Sequence, residues 1–351
     1  MPFDSKKHEA MRARAIADLG GGVTSLLVHL GDKLGLYKAM SGAGPISSAE
    51  LAGRTNTRER YVREWLNAQA ASGYVDYEPH SRKYRLSDEA AALLAREDSQ
   101  SLLAGGFEVV AALFLDEPRL TSAFQRGVGI PYGEHEPRLF SGVERFLRPE
   151  YAANLVTHWL PSVPGLVDRL RRGAKVADVG CGRGAATMLM TRAFPLSRFF
   201  GFDAHAPSID RARSVAADEH LHERVHFEAV AARAFPGAGY HLITFLDCLH
   251  DMGDPVGALK HARATLAPGG VILLVEPRAG DHVEDNLTPL GRLFYGISTA
   301  VCTPASLSED LAVGLGAQAG EARLRALSHE AGLHFRRAAE SSMHAVFELH
   351  V

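Results

Sequence analysis

Apolar positions keep two different rhythms along this chain, and the change between them divides it. In the first hundred residues they recur at helical spacing, as Leu26, Leu27, Leu30, Leu34 and Leu36 do, with glycine-rich interruptions that predict breaks. A helix is predicted after Pro45, where Ser47 and Glu50 stand at the spacing of a capping box. In the next helix Thr57 is a candidate cap, Tyr61, Val62, Trp65 and Leu66 share a face, and Gly73 is the stop. Residues 74–77 and 83–86 read as two short strands about a polar turn. Helix, helix, helix, hairpin is the winged-helix order.

Residues 101–170 are helical in pattern, broken by Gly and Pro and by the loop GIPYGEHEP. From Lys175 the rhythm changes to short apolar runs alternating with amphipathic stretches. Strands are predicted at 176–179, 198–203, 225–230, 240–246 and 271–277, the last after the turn Pro268-Gly269-Gly270. A helical insert at about 285–316, the helix EARLRALSHEAGL and the strand HAVFELHV complete the chain. Such alternation predicts an α/β fold, a doubly wound parallel sheet with ligands at the strand C-termini. Three regions are expected: a mostly helical winged-helix domain at 1–100, a helical linker and substrate cap at 101–170, and the α/β domain at 171–351.

Composition narrows the function. With 46% hydrophobic and 23% charged residues the chain can bury sizeable cores. Its 38 basic and 41 acidic residues leave a net charge of −3, without the basic excess that nucleic acid attracts. In the winged-helix region Glu59 and Glu64 nearly cancel Arg58, Arg60 and Arg63, so a dimerisation role is favoured there over DNA reading. Cys181, Cys248 and Cys302 form neither a disulfide framework nor a zinc motif. No metal site is expected. The first residues lack the apolar core of a signal peptide and no long uncharged apolar run follows, so a cytoplasmic protein without membrane contact is expected.

The candidate chemistry begins at VADVGCGRG, residues 176–184, between a predicted strand and a helix. A tight turn there needs glycine, and a close ligand needs bare backbone. Asp203 ends the next strand about 20 residues on, where an acid binds ribose hydroxyls in dinucleotide and S-adenosylmethionine sites alike. Spacing alone leaves NAD open, because Ala185 is an allowed variant at the third glycine position. The bland alternative is that the glycines make a turn and Asp203 caps the following helix.

The ordered set resembles the class I S-adenosylmethionine-dependent methyltransferases: an acid before G-x-G-x-G, and LAPGGVILLVEP at the turn and fifth strand. With the helical N-terminal region included, the chain is similar to winged-helix methyltransferases of small molecules, particularly an actinobacterial subgroup of unassigned substrate. The resemblance implies S-adenosyl-L-methionine as cofactor, a small-molecule methyl acceptor and a homodimer. It places Gly180, Cys181 and Gly182 at the amino-acid end of the cofactor, with Asp178 anchoring this loop or the methionine ammonium, Asp203 at the ribose and Ala204 beside adenine. Ala231 and Ala232 stand where many members carry an acid at the adenine amine, a departure that leaves backbone and apolar contacts there. Leu246, Asp247 and Cys248 would line the opposite side.

In LDCLHDMGDP, residues 246–255, His250 matches the general base of the plant-type O-methyltransferases, and Glu276 the acid that orients it. A phenol attacks faster as phenolate, so an imidazole within reach is useful. Met252 stands where an aromatic residue commonly follows. The alternative is that His250 holds a helix start or a backbone carbonyl. His158, Phe294 and Tyr295 are candidate acceptor contacts, with packing as the alternative for each. Oxygen methylation is the leading reading. Nitrogen or carbon methylation, a winged-helix regulator that senses S-adenosylmethionine, and use of that molecule as a fixed charge for another reaction remain open.

Overall fold

The computed structural model describes residues 3–351, which separate into two compact units. One comprises residues up to 115 together with 137–149, and the other residues 116–136 together with 150–351. The stretch 101–170 is thus shared between the units. The helix Arg138–Asn154 contributes to the first up to Pro149 and to the second from Glu150.

The first unit opens with one unbroken helix, Ser5–Lys33, started by Asp4, whose side chain accepts from the backbone N–H of Lys6 and Lys7. The glycine-rich break expected near residue 20 does not occur. Gly20, Gly21 and Gly22 stay helical on an open surface, at a cost of roughly 1 kcal/mol each relative to alanine. Helices Leu36–Met40, Ser48–Thr55 and Glu59–Ala71 follow. The Ser47 and Glu50 capping box forms, whereas the Thr57 hydroxyl pairs with that of Thr55 rather than capping the helix Glu59–Ala71. Strands β1 (Asp76–Glu78) and β2 (Lys83–Arg85) make the hairpin, widened by a bridge from Ile46 to Tyr84. The core gathers Tyr37, Met40, Leu51, Val62, Trp65 and Leu66. Gly31 lets the Trp65 ring lie against the first helix, and the Trp65 indole N–H donates to the Leu27 carbonyl at 2.8 Å.

A second stripe on the first helix is left uncovered among the described residues. Ile16, Leu19, Val23, Leu26 and Leu30 are all exposed and are spaced three and four residues apart in alternation. That is the spacing of a two-helix seam.

The second unit is built on a seven-stranded sheet. In chain order its strands are β3 (Lys175–Val179), β4 (Arg198–Asp203), β5 (Val225–Ala229), β6 (Tyr240–Leu246), β7 (Leu266–Pro277), β8 (His334–Glu340) and β9 (His344–His350). Their spatial order is β5-β4-β3-β6-β7-β9-β8. The doubly wound expectation holds, with one refinement: β9 runs antiparallel between β7 and β8. Order reverses between β3 and β4 on one side and β6 on the other, which leaves a crevice at the C-terminal ends of β3 and β6. Buried Val176, Ala177, Val179, Leu242, Ile243 and Phe245 read as continuous apolar runs because both faces of these strands are covered. The insert after β7 is helical at Pro289–Ile297 and Thr303–Leu307, joined by a π-helical turn at Ser298–Cys302.

Candidate functional site

The loop after β3 is shaped by what lies against it. Gly180 has φ of 73°, and a Cβ there would stand 2.5 Å from the Cys248 sulfur, so position and conformation both require glycine. Gly182 differs: φ is 53°, yet a Cβ would meet nothing within 4 Å. The backbone is bare there towards open space, a cradle that a side chain would fill.

Asp178 does not face that space. It is fully buried and accepts from the hydroxyls of Thr187 at 2.5 Å and Thr244 at 2.7 Å. Burial pushes its carboxyl up to about 6 in spite of both bonds. Its contacts tie the end of β3 to β6 and to the helix that follows the glycine loop. Asp203, at the end of β4, accepts from the Gly182 N–H and the His205 N–H, each at 2.8 Å. Each carboxylate oxygen keeps a second acceptor site. Burial raises the Asp203 carboxyl above its usual range, and the two backbone bonds oppose that. Ala204 is exposed just beyond, as is Ala231, while Ala232 packs partly against the core. Cys181 donates its backbone N–H to the Phe202 carbonyl at 3.0 Å, locking the loop to β4.

After β6 the chain turns sharply. Leu246 is buried, and Asp247 adopts a left-handed φ of 54°. The Asp247 carboxylate pairs with Nε2 of His344 on β9, whose Nδ1 lies 3.4 Å from Glu150; Glu150 also accepts from the Ser341 hydroxyl. Burial would lower the His344 imidazole, but Asp247 and Glu150 outweigh it and raise it to about 9.

Next comes a short turn, Leu249–Asp251. His250 is 4% exposed and its Nδ1 is bonded to Glu276, which ends β7 and also accepts from the Leu249 N–H at 3.1 Å. His250 Nε2 lies 3.2 Å from Asp251 Oδ1. Burial alone would lower the His250 imidazole; Glu276 and Asp251 together hold it well above its ordinary value. A raised imidazole keeps its own proton to higher pH, and takes one from another group only after losing it. Cys302 of the insert completes a group in which the ligand atoms of His250, Asp251 and Cys302 lie within 4.8 Å of one another. The set fits a resident ion poorly, because its neighbours raise the imidazole and burial pushes the thiol up to about 12, and both must give up protons to bind a metal.

Not every candidate converges here. His158 is exposed on a π-helical turn, and its buried neighbour Trp159 contacts the site's surroundings, 5.6 Å from the His344 ring. Phe294 is buried in the insert and Tyr295 half-buried. Sequence reasoning missed Glu150 and His344, and the pair Asp116 and His135. Each partner lies tens of residues from the other in a segment without a motif.

Comparison with known proteins agrees with this architecture. Residues 22–96 match the family model of the Rv2258c-like winged HTH domain, and residues 146–308 that of a methyltransferase domain. Among curated relatives, a 27-O-demethylrifamycin SV methyltransferase of Amycolatopsis mediterranei is 30% identical over 107 residues, 30% of this chain and 39% of that protein. The chain spans less than half the length of the curated relatives it matches. Two solved structures are alike along nearly their whole length. The mitomycin 7-O-methyltransferase MmcR has a TM-score of 0.72 at 18% identity, with 99% of this chain and 100% of that one covered. The O-methyltransferase NcsB1 of neocarzinostatin biosynthesis, in complex with S-adenosyl-L-homocysteine and 1,4-dihydroxy-2-naphthoic acid, has 0.64 at 19%, with 96% and 97% covered.

Proposed function

From the premise that this chain carries a winged-helix region followed by a class I methyltransferase fold, we propose that it is an S-adenosylmethionine-dependent methyltransferase of a small molecule, acting at oxygen. The observation that carries the reading is the open cradle at Gly182 beside the Asp203 carboxylate. S-adenosylmethionine supplies an electrophilic methyl group to a nucleophile aligned behind it. The Gly180–Gly182 backbone would hold its amino-acid end, with Asp178 bracing the loop. Asp203 would accept from the ribose hydroxyls through its unused acceptor sites. Ala204, Ala231 and Ala232 would border the adenine, and Leu246, Asp247 and Cys248 the other side.

At the acceptor end, His250 is the group suited to take a hydroxyl proton. Glu276 fixes the ring by its Nδ1 and leaves Nε2 towards Asp251. Because Glu276 and Asp251 raise the imidazole, this role predicts a rate that rises with pH through a value above the ordinary histidine range. Oxygen is favoured over nitrogen or carbon because a buried, carboxylate-fixed imidazole has most to do for a hydroxyl. His158, Phe294 and Tyr295 are left as border contacts of the acceptor.

Calorimetry with S-adenosylhomocysteine tests the reading, with NAD as control. Micromolar binding of the first alone supports it; absence of binding overturns it. We further propose that the exposed stripe of the first helix is covered by a second copy of this chain, since its seam spacing is self-complementary. Sedimentation of the wild-type protein beside Leu19→Glu decides: a dimer made monomeric by the substitution supports the pairing, and a wild-type monomer excludes it.

A further inference from the structure

The short turn that carries His250 is held from two sides. From the sheet, Glu276 bonds to His250 Nδ1 and accepts from the Leu249 N–H. From the other side the hold comes from the helical insert, and it falls on the backbone just after the turn. Ser306 is fully buried; its hydroxyl donates to the Met252 carbonyl at 2.8 Å and accepts from the Gly314 N–H at 3.0 Å. Glu309 accepts from the Gly253 N–H at 2.9 Å, and the Gly253 carbonyl accepts from the Val313 N–H at 3.2 Å. The approach is too close for a side chain at residue 253, where a Cβ would stand 2.4 Å from that of Glu309.

Two further contacts fix the insert in this place. Cys302 and Ser306 are four residues apart and share a helical face, and Cys302 Sγ lies within 4.8 Å of the ligand atoms of His250 and Asp251. A separate segment pins the same helix: the Ile130 N–H donates to the Pro304 carbonyl at 2.9 Å, and a Cβ on Gly129 would stand 2.0 Å from the Ser308 nitrogen. A single 3₁₀ turn keeps its own shape weakly, so bonds from outside decide where the imidazole stands. Each buried backbone group left unpaired costs about 1–3 kcal/mol, so the insert and the turn move together or not at all.

We propose that Ser306 and Glu309 are positioning residues for the base, through which the insert keeps His250 in register with Glu276. Both act on the backbone that follows the imidazole. The inference rests on the base role proposed for His250 and deepens it. The insert that would border the acceptor through Phe294 and Tyr295 also sets the base, so acceptor seat and base form one mechanical body. An acceptor that displaces the insert would then lose rate as well as affinity.

The test reads His250 itself, in the full chain and without an acceptor. Its side-chain ¹⁵N signals, identified by their loss in His250→Ala, are followed against pH. The ionisable groups facing the imidazole are Glu276, Asp251 and Cys302, and the two carboxylates hold it up. A turn released from the insert relaxes away from them. In Ser306→Ala and in Glu309→Ala the titration midpoint should therefore fall towards the ordinary histidine value by about one pH unit. S-adenosylhomocysteine affinity, measured by calorimetry, should stay unchanged in both. Glu309→Gln keeps an acceptor oxygen for the Gly253 N–H and should titrate like wild type, which separates the bond from the charge. Glu309 is exposed, so its two variants decide the matter should Ser306→Ala fail to fold. A midpoint that moves in neither alanine variant, or moves as far in Glu309→Gln as in Glu309→Ala, overturns the proposal. Unchanged turnover in His250→Ala, or failure of S-adenosylhomocysteine to bind to wild type, would instead remove the reading beneath it.

Discussion

The two ends of the crevice are built in contrasting ways. The end at Gly180, Gly182 and Asp203 is made chiefly of backbone, and its one deeply buried carboxylate, Asp178, is satisfied by two threonine hydroxyls. The end at His250 is made of ionisable side chains out of water: His250 against Glu276 and Asp251, His344 against Asp247 and Glu150, His135 against Asp116. A surface built from backbone suits a ligand that never changes. One built from side chains can be retuned residue by residue, and its groups are held in states that depend on pH. On the proposed function, common machinery and individual specificity are kept apart in one fold.

Substitutions can break that contrast. The largest effect is expected from His250→Ala, which should lower kcat by about 10² to 10⁴ on the true acceptor while S-adenosylhomocysteine binding is unchanged. Equal turnover in the variant would remove the base role. In Glu276→Gln the imidazole loses its main charged support, so the rise of rate with pH should move to lower pH. Next in size is the His344 network. Its imidazole is raised to about 9 in the fold against an ordinary 6.5, so this pairing contributes about 3 kcal/mol below pH 6.5, lost as pH rises through 9. Urea midpoints for wild type and His344→Gln should therefore differ most near pH 6 and converge near pH 10. Smaller is Asp203→Ala, which should weaken S-adenosylhomocysteine about tenfold to a hundredfold with kcat nearly kept at saturation. Smallest is Thr187→Val, about 1 kcal/mol of stability, since Thr244 still serves Asp178.

The same contrast explains what could be read from the sequence. The glycine loop, Asp203 and the five parallel strands are contiguous signals, each with local cause and local effect. The edge strand β8 escaped notice because His334, Arg336 and Arg337 lie exposed along it and hide the apolar alternation. Glycines 20–22 suggested a break because their cost is local, whereas the helix is fastened further along by Gly31, Trp65 and the pairing of Asp32 with Arg145 at 2.7 Å. His250 and Glu276 were legible through resemblance. His344 and His135 were not, because their partners Asp247 and Asp116 meet them only in the folded chain.

The first helix carries one more consequence. Its opening stretch, residues 5–22, is exposed almost throughout, ends in three consecutive glycines and carries the start of the stripe for which a second copy is proposed. Glycine weakens a helix that nothing covers, and a partner restores what glycine removes. In the proposed dimer, folding of that segment is coupled to association. Far-ultraviolet circular dichroism should show helicity per chain falling on dilution, and Gly21→Ala should flatten that dependence.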